Sequence, residues 1–135
     1  MGFDLTKNNF AEKAELGYEF EVIIPEVQEK TGAFITVRGA ESPKVKNYGR
    51  RKFNEMQFKE HTAKKKGKDL DPITLDEAED MAIEAALVRI ISWKGFEEGG
   101  KKLEFTEENA RRVLREHAWI REQVLSESNQ LSNFI

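Results

Sequence analysis

Tyr18, Phe20 and Val22 alternate with Glu19 and Glu21 in "YEFEVIIP". A period of two is the mark of a strand with one face buried. "AFITVRG" is a second run rich in β-branched and aromatic residues, the types that fit a pleated surface. Pro25 ends the first run and Gly32 turns the chain before the second, which predicts a β-hairpin with a long loop. A lone hairpin is marginal in water, so its apolar face must rest on helices. After Gly39 the period lengthens. Ser42 is placed to cap a helix and Pro43 to occupy its first position. Val45, Tyr48, Phe53, Met56 and Ala63 then share one face at 100° per residue, Phe58 falls on the opposite face, and Gly67 stops the run. Thr74 with Glu77 forms a capping box for the next helix. From Met81 to Ile91 only Glu84 and Arg89 are polar. A helix apolar nearly all round is buried on most sides, so a central helix over Thr74–Ser92 is predicted. Thr106 caps a further helix, with Glu107 and Glu108 suited to its dipole. Its stripe of Ala110, Val113, Leu114, Ile120, Val124 and Leu125 runs on to about Glu127 or bends near His117 and Ala118.

These elements predict an α+β fold, mainly α, with an N-terminal hairpin packed on about four helices. Residues 1–17 are read as a flexible arm, 18–127 as one domain and 128–135 as a tail. With 135 residues a modest core is within reach without metal or disulfide staples. The charged share of 35% and a mean hydropathy of -0.66 point to a small core under a large charged surface. Cysteine is absent, which excludes disulfides, thiolate nucleophiles and cysteine metal sites. No apolar run approaches the roughly 20 residues of a membrane span, so no membrane partner is expected. The first residues lack the basic and apolar regions of a secretory signal.

The net charge of -3 hides an uneven distribution. Lys44–Lys68 carries ten Lys/Arg against two Glu, a local excess of +8 that leaves -11 for the remainder. Such a basic helix is by default a solvated face. It can also bind nucleic-acid phosphates or dock on an acidic surface, including that of a sister subunit. A pI near 5.6 weighs against nucleic acid. Candidate interface residues are Arg50 and Arg51 on this helix, its outward Phe58, and Phe134, a lone aromatic in a polar tail.

Catalytic chemistry is hard to find. His61 and His117 stand far apart, with no metal-ligand spacing. No HExxH, Walker loop or strand-led GxGxxG occurs. His117 shares the apolar stripe and reads as a core or hinge residue. The expectation is a protein that is not an enzyme and carries no cofactor and no metal.

"SWKGFEEGGKKLEF" sets Trp93, Phe96 and Phe105 among Gly95, Gly99 and Gly100. Aromatics in such an elbow commonly plug a core while glycines make the turns. The order of motifs from here to the end resembles the tail assembly chaperones of long-tailed (siphovirus-type) bacteriophages. In that family a helix ends in a Trp-x-Gly-Leu/Phe turn, then a Phe-Thr-x-Glu-Asn helix start, a Trp-Ile-x-x-x-Val segment and a closing Asn-Phe. The matching residues are Trp93, Gly95 and Phe96; Phe105, Thr106, Glu108 and Asn109; Trp119, Ile120 and Val124; and Asn133 with Phe134. "GRRKFNEMQFKE" is similar to the family's basic first helix, so the likeness spans Ser42–Ile135. The family often has proline before the second Trp, where Ala118 stands here.

The resemblance implies a protein that coats the tape measure protein in the host cytoplasm, keeps it soluble and helps recruit tail tube subunits. Such chaperones are absent from the mature virion. A longer frameshift form often recruits the tail tube protein, and this chain corresponds to the short form. Weak contacts repeated along a self-assembling coat supply avidity, and the uneven charge suits a homo-oligomer built head to tail as an open spiral. The alternative is a small nucleic-acid-binding phage or prophage protein that uses the basic helix 44–68.

Overall fold

The computed structural model describes residues 2–135. Strands β1 (Tyr18–Ile24) and β2 (Glu29–Val37) form the expected antiparallel hairpin. Phe20 and Val22 of β1 and Ala33, Ile35 and Val37 of β2 point to one face and are buried. The other face carries Glu19, Glu21 and Thr36, as the two-residue period requires. The helices in chain order are α1 (Ala11–Leu16), α2 (Pro43–Lys65), α3 (Leu75–Arg89), α4 (Glu107–Glu116) and α5 (Ala118–Ser128). Helices α3, α4 and α5 pack on one another, and α5 also packs on β1 and β2. They seat Ile83, Ala86, Val113, Leu114, Ile120 and Val124 against the apolar face of the sheet. Ile35 is fully buried at the centre. Deleting most of such a side chain costs about 2–5 kcal/mol, so this layer holds the fold together.

The architecture departs from an N-terminal hairpin resting on a mainly helical body. The central helix ends at Arg89, and Ile90–Lys94 forms a strand, β3, on the free edge of β2. The sheet order is β1-β2-β3. A second hairpin, β4 (Glu97–Glu98) with β5 (Lys101–Lys102), follows it. Strands are therefore spread through the chain, and the fold is a mixed α+β one with five α-helices among the described residues. The physical reason lies in "VRIISW". An unbroken apolar run is compatible with a buried helix or a buried strand. The β-branched Ile90 and Ile91 favour the strand, and β2 offers unpaired backbone groups. Pairing Ile35 with Trp93 and Thr36 with Ser92 satisfies groups that a longer helix would leave open on β2.

Helix α3 is also less enclosed than its composition suggests. Ile83 and Ala86 are buried, whereas Leu75 is 87% and Met81 47% exposed. Thr74 caps it as expected, its Oγ1 accepting from the Glu77 N–H at 3.1 Å.

The segment read as an arm contributes Ala14 to the core, and the Gly39 N–H donates to the Ala14 carbonyl. The segment read as a tail is likewise packed. Leu131–Phe134 makes a 3-10 turn, and Asn133 Nδ2 donates to the Glu127 carbonyl at 2.9 Å. Ser128 Oγ donates to the Arg38 carbonyl at 2.6 Å. Phe134 is 3% exposed and meets Tyr18 edge-on at 6.1 Å between ring centres. Gly39 leaves room for its ring, since a Cβ there would lie 2.8 Å from Phe134 Cδ2.

Candidate interaction surfaces

Helix α2 starts at Pro43, with Ser42 in the extended conformation of a cap. The Ser42 hydroxyl does not bond the helix. It donates to the Glu15 carboxylate of α1, and that bond holds Glu15 below the usual carboxylate range. The helix stops where Gly67 adopts a positive φ of 68°. It is 23 residues long, about 34 Å at 1.5 Å per residue, yet Val45 is its sole buried residue. The base is anchored by Val45 and by half-buried Tyr48, whose hydroxyl is pushed up mainly by burial. Beyond Tyr48 the helix projects. Phe53, placed on the apolar stripe by the helical period, is 64% exposed because no element lies beneath that half of the stripe. Phe58 is 71% exposed on the opposite side.

Asn47, Arg50, Arg51, Asn54, Glu55, Phe58 and Lys59 line a shallow furrow on the basic side of α2, with three cations against one carboxylate. A second hollow joins Phe58 to Leu70, on the connection that follows the helix. Leu70 and Ile73 of that connection are exposed too. Three of the four expected interface residues thus sit together, Arg50, Arg51 and Phe58. The fourth, Phe134, does not join them. It is buried between Gly39, Ala14 and Tyr18, so it is a core residue rather than a surface anchor.

The elbow is an aromatic cluster. Trp93 lies 4.8 Å from Phe96 and 5.2 Å from Phe105 between ring centres. Its Nε1–H donates to the Leu103 carbonyl at 3.0 Å, and the Leu103 N–H donates to the Phe96 carbonyl. The β4–β5 hairpin is thereby pinned to the edge of the core. Gly95 turns the chain with φ +86°, and a Cβ there would run into the Gly32 carbonyl of β2. Thr106 caps α4, its Oγ1 accepting from the Asn109 N–H at 3.0 Å, while Asn109 Nδ2 donates to the Glu104 carbonyl. Ile120 is a buried residue of α5. These signature residues build the fold. Two of them also line surface hollows: Phe105 one beside Tyr48 and Glu84, and Trp119, half-buried on α5, another.

The chain bends between α4 and α5 at His117, with φ -126° and ψ 75°, so the stripe is two helices rather than one. His117 is exposed at the bend and not part of the core. The Leu114 carbonyl freed there accepts from Arg121 Nη1 at 2.9 Å.

The Trp119 groove lies between α5 and the β1–β2 turn. Ile23, Pro25 and Trp119 supply its apolar lining, and Glu21, Glu26, Glu122 and Glu127 its carboxylates. None of these four joins an ion pair among the described residues. Among the described residues no lysine or arginine lines the groove. The sequence offered no local signal for it, because its two walls lie about a hundred residues apart.

Among the described residues, no helix is long and apolar enough to cross a membrane. No curated protein and no solved structure matches the chain. A family model, YdaY prophage protein, matches residues 45–135. That stretch runs from the buried foot of α2 through the aromatic elbow to the packed C-terminus, and covers well over half of the chain. The protein belongs to the YdaY prophage protein family.

Proposed function

We propose that this prophage protein is a tail assembly chaperone that binds the tape measure protein, keeps it soluble and helps bring tail tube subunits to it. The observation that carries this reading is the exposed stripe of α2, where Phe53 stands largely in solvent on a helix that buries only Val45. Leu70, Ile73, Leu75 and Met81 extend the exposed apolar surface along the connection and the start of α3. Scattered apolar residues are normal on a surface, whereas a grouping on one projecting arm suits contact with another chain. A long helical client presents apolar side chains at the i, i+3, i+4 spacing that such a stripe can match. Each contact is small, so the client is released when tube subunits compete for it. The resemblance of Ser42–Ile135 to tail assembly chaperones supports the same reading. On this reading the protein has no catalytic role, acts in the host cytoplasm and leaves before the virion is complete. Recruitment of the tube protein falls to a longer frameshift form.

The test is co-expression with the tape measure gene of the same phage genome. The expected result is a tape measure protein that stays soluble and co-purifies only when this chain is present. Phe53→Ser with Met56→Ser is expected to abolish that rescue while the chain itself stays folded. A tape measure protein equally insoluble with and without the chain would overturn the reading. Tight, steeply salt-dependent binding to duplex DNA would instead favour a nucleic-acid role for α2.

A further inference from the structure

Two surfaces of opposite net charge carry side chains that join no ion pair among the described residues. One is the furrow of α2, where Arg50 and Lys59 flank the exposed Phe58. The other is the groove between the β1–β2 turn and α5, where Glu21, Glu26, Glu122 and Glu127 surround Ile23, Pro25 and Trp119. On the face shared by α3 and α4 the charges are matched within the chain. Arg111 pairs with Glu84 and Glu107, Arg112 with Glu98 and Glu116, and Arg115 with Glu79 and Asp80.

We infer that the acidic groove is the seat for helix α2 of a second copy of this chain, with Phe58 set against Ile23, Pro25 and Trp119. The two surfaces are complementary in both respects that an interface needs. Cations meet carboxylates at the rim, and an exposed aromatic meets a partly exposed apolar floor at the centre. The helix cannot reach the groove of its own chain, because α2 is anchored on α1 and α3 through Val45 and Tyr48. The groove belongs to the far end of the β1–β2 hairpin and to α5. Each copy therefore offers one helix and one groove, which is a heterologous contact. Such contacts propagate into open chains unless the rotation closes a ring. The stripe bearing Phe53 lies on the other side of α2 and stays free in this arrangement. The contact stands whether or not the client is a tape measure protein.

The experiment uses the full chain without any client, in low salt, with mass read by light scattering and sedimentation. Glu26→Lys with Glu122→Lys reverses the groove, and Arg50→Glu with Lys59→Glu reverses the helix. All four side chains are exposed, so both variants are expected to fold, which circular dichroism checks. The wild-type chain is expected to grow in mass with concentration and to shrink as salt is added. Each reversed variant alone is expected to stay monomeric. Mixed together, the native helix of the first variant meets the native groove of the second, and the reversed helix of the second meets the reversed groove of the first. Both contacts attract, so the mixture is expected to assemble again with the two variants alternating. A single chain carrying both reversals is expected to assemble again. A monomeric wild-type chain, assembly undiminished by either reversal, or failure of the mixed variants to pair would overturn the inference. Phe58→Ser supplies an uncharged check, expected to weaken assembly without altering the monomer.

Discussion

The side-chain amide of Gln123 on α5 bonds both backbone groups of Ile23 on β1. Gln123 Oε1 accepts from the Ile23 N–H at 3.0 Å, and Gln123 Nε2 donates to the Ile23 carbonyl at 2.6 Å. Strand β1 is a sheet edge, and its register to β2 shifts between Glu21 and Ile23. The outward groups at such a bulge have no strand to pair with. Gln123 takes the place of a strand there and fixes the wall of the acidic groove.

Replacing Gln123 by alanine is expected to cost about 1 kcal/mol, since water can take over both exposed bonds. The sharper readout is hydrogen exchange, where the Ile23 amide should lose protection. Unchanged protection at Ile23 would show that Gln123 is incidental to the edge.

Two phenylalanines should respond oppositely to truncation. Phe134→Ala removes a buried ring from beside Tyr18, Ala14 and Gly39 and is expected to lower stability by about 3–5 kcal/mol. Phe58→Ser removes a ring that is 71% exposed and is expected to change the monomer by no more than about 0.5 kcal/mol. Urea melts of both variants, read below the association range, decide the matter.

Gly95 and Gly99 both have positive φ, +86° and +56°, but only Gly95 faces another backbone. Gly99→Ala is expected to cost about 1–2 kcal/mol for the left-handed conformation alone. Gly95→Ala should cost clearly more, because its methyl group must push β2 away at the Gly32 carbonyl. The added loss should appear together with a change in Trp93 fluorescence, as the elbow lifts. Equal losses at the two positions would mean that the approach to Gly32 relaxes freely.

Glu84 on α3 accepts from Arg111 Nε on α4 at 2.7 Å. This bond holds the Glu84 carboxyl below its usual range, with burial opposing it. A carboxylate with a lowered folded-state pKa adds stability above the unfolded value, and that stability is lost as pH falls through the folded value. Stability should therefore drop from about pH 4.5 downward. Glu84→Gln should flatten that part of the profile. The pair is partly exposed, so its contribution is about 0.2–1 kcal/mol. A wild-type profile and a Glu84→Gln profile that stay parallel below pH 4.5 would remove Arg111 as the cause.

Local chemistry alone determined a good part of this molecule. The alternation in Tyr18–Val22 and the β-branched run of β2 announced the hairpin, because a pleated strand with one face buried requires that order. Thr74 and Thr106 announced two helix starts through the bond each hydroxyl accepts three residues on. Phe58 was legible as an outward residue from the helical period. The elbow of Trp93, Phe96 and Phe105 could be read as a core plug. Contacts between distant segments decided the rest. "VRIISW" suits helix and strand alike, and the open edge of β2 selected the strand. Phe134 looked bare in a polar tail, and became a core residue because Gly39 and Ala14 leave a place for its ring. Phe53 carried the apolar period of its helix, yet it is exposed, since that period says which face a residue shares and not how far the body beneath extends. The acidic groove had no trace in the sequence. Its carboxylates come from Glu21 and Glu26 on one side and Glu122 and Glu127 on the other, and only the packing of α5 on β1 brings them together.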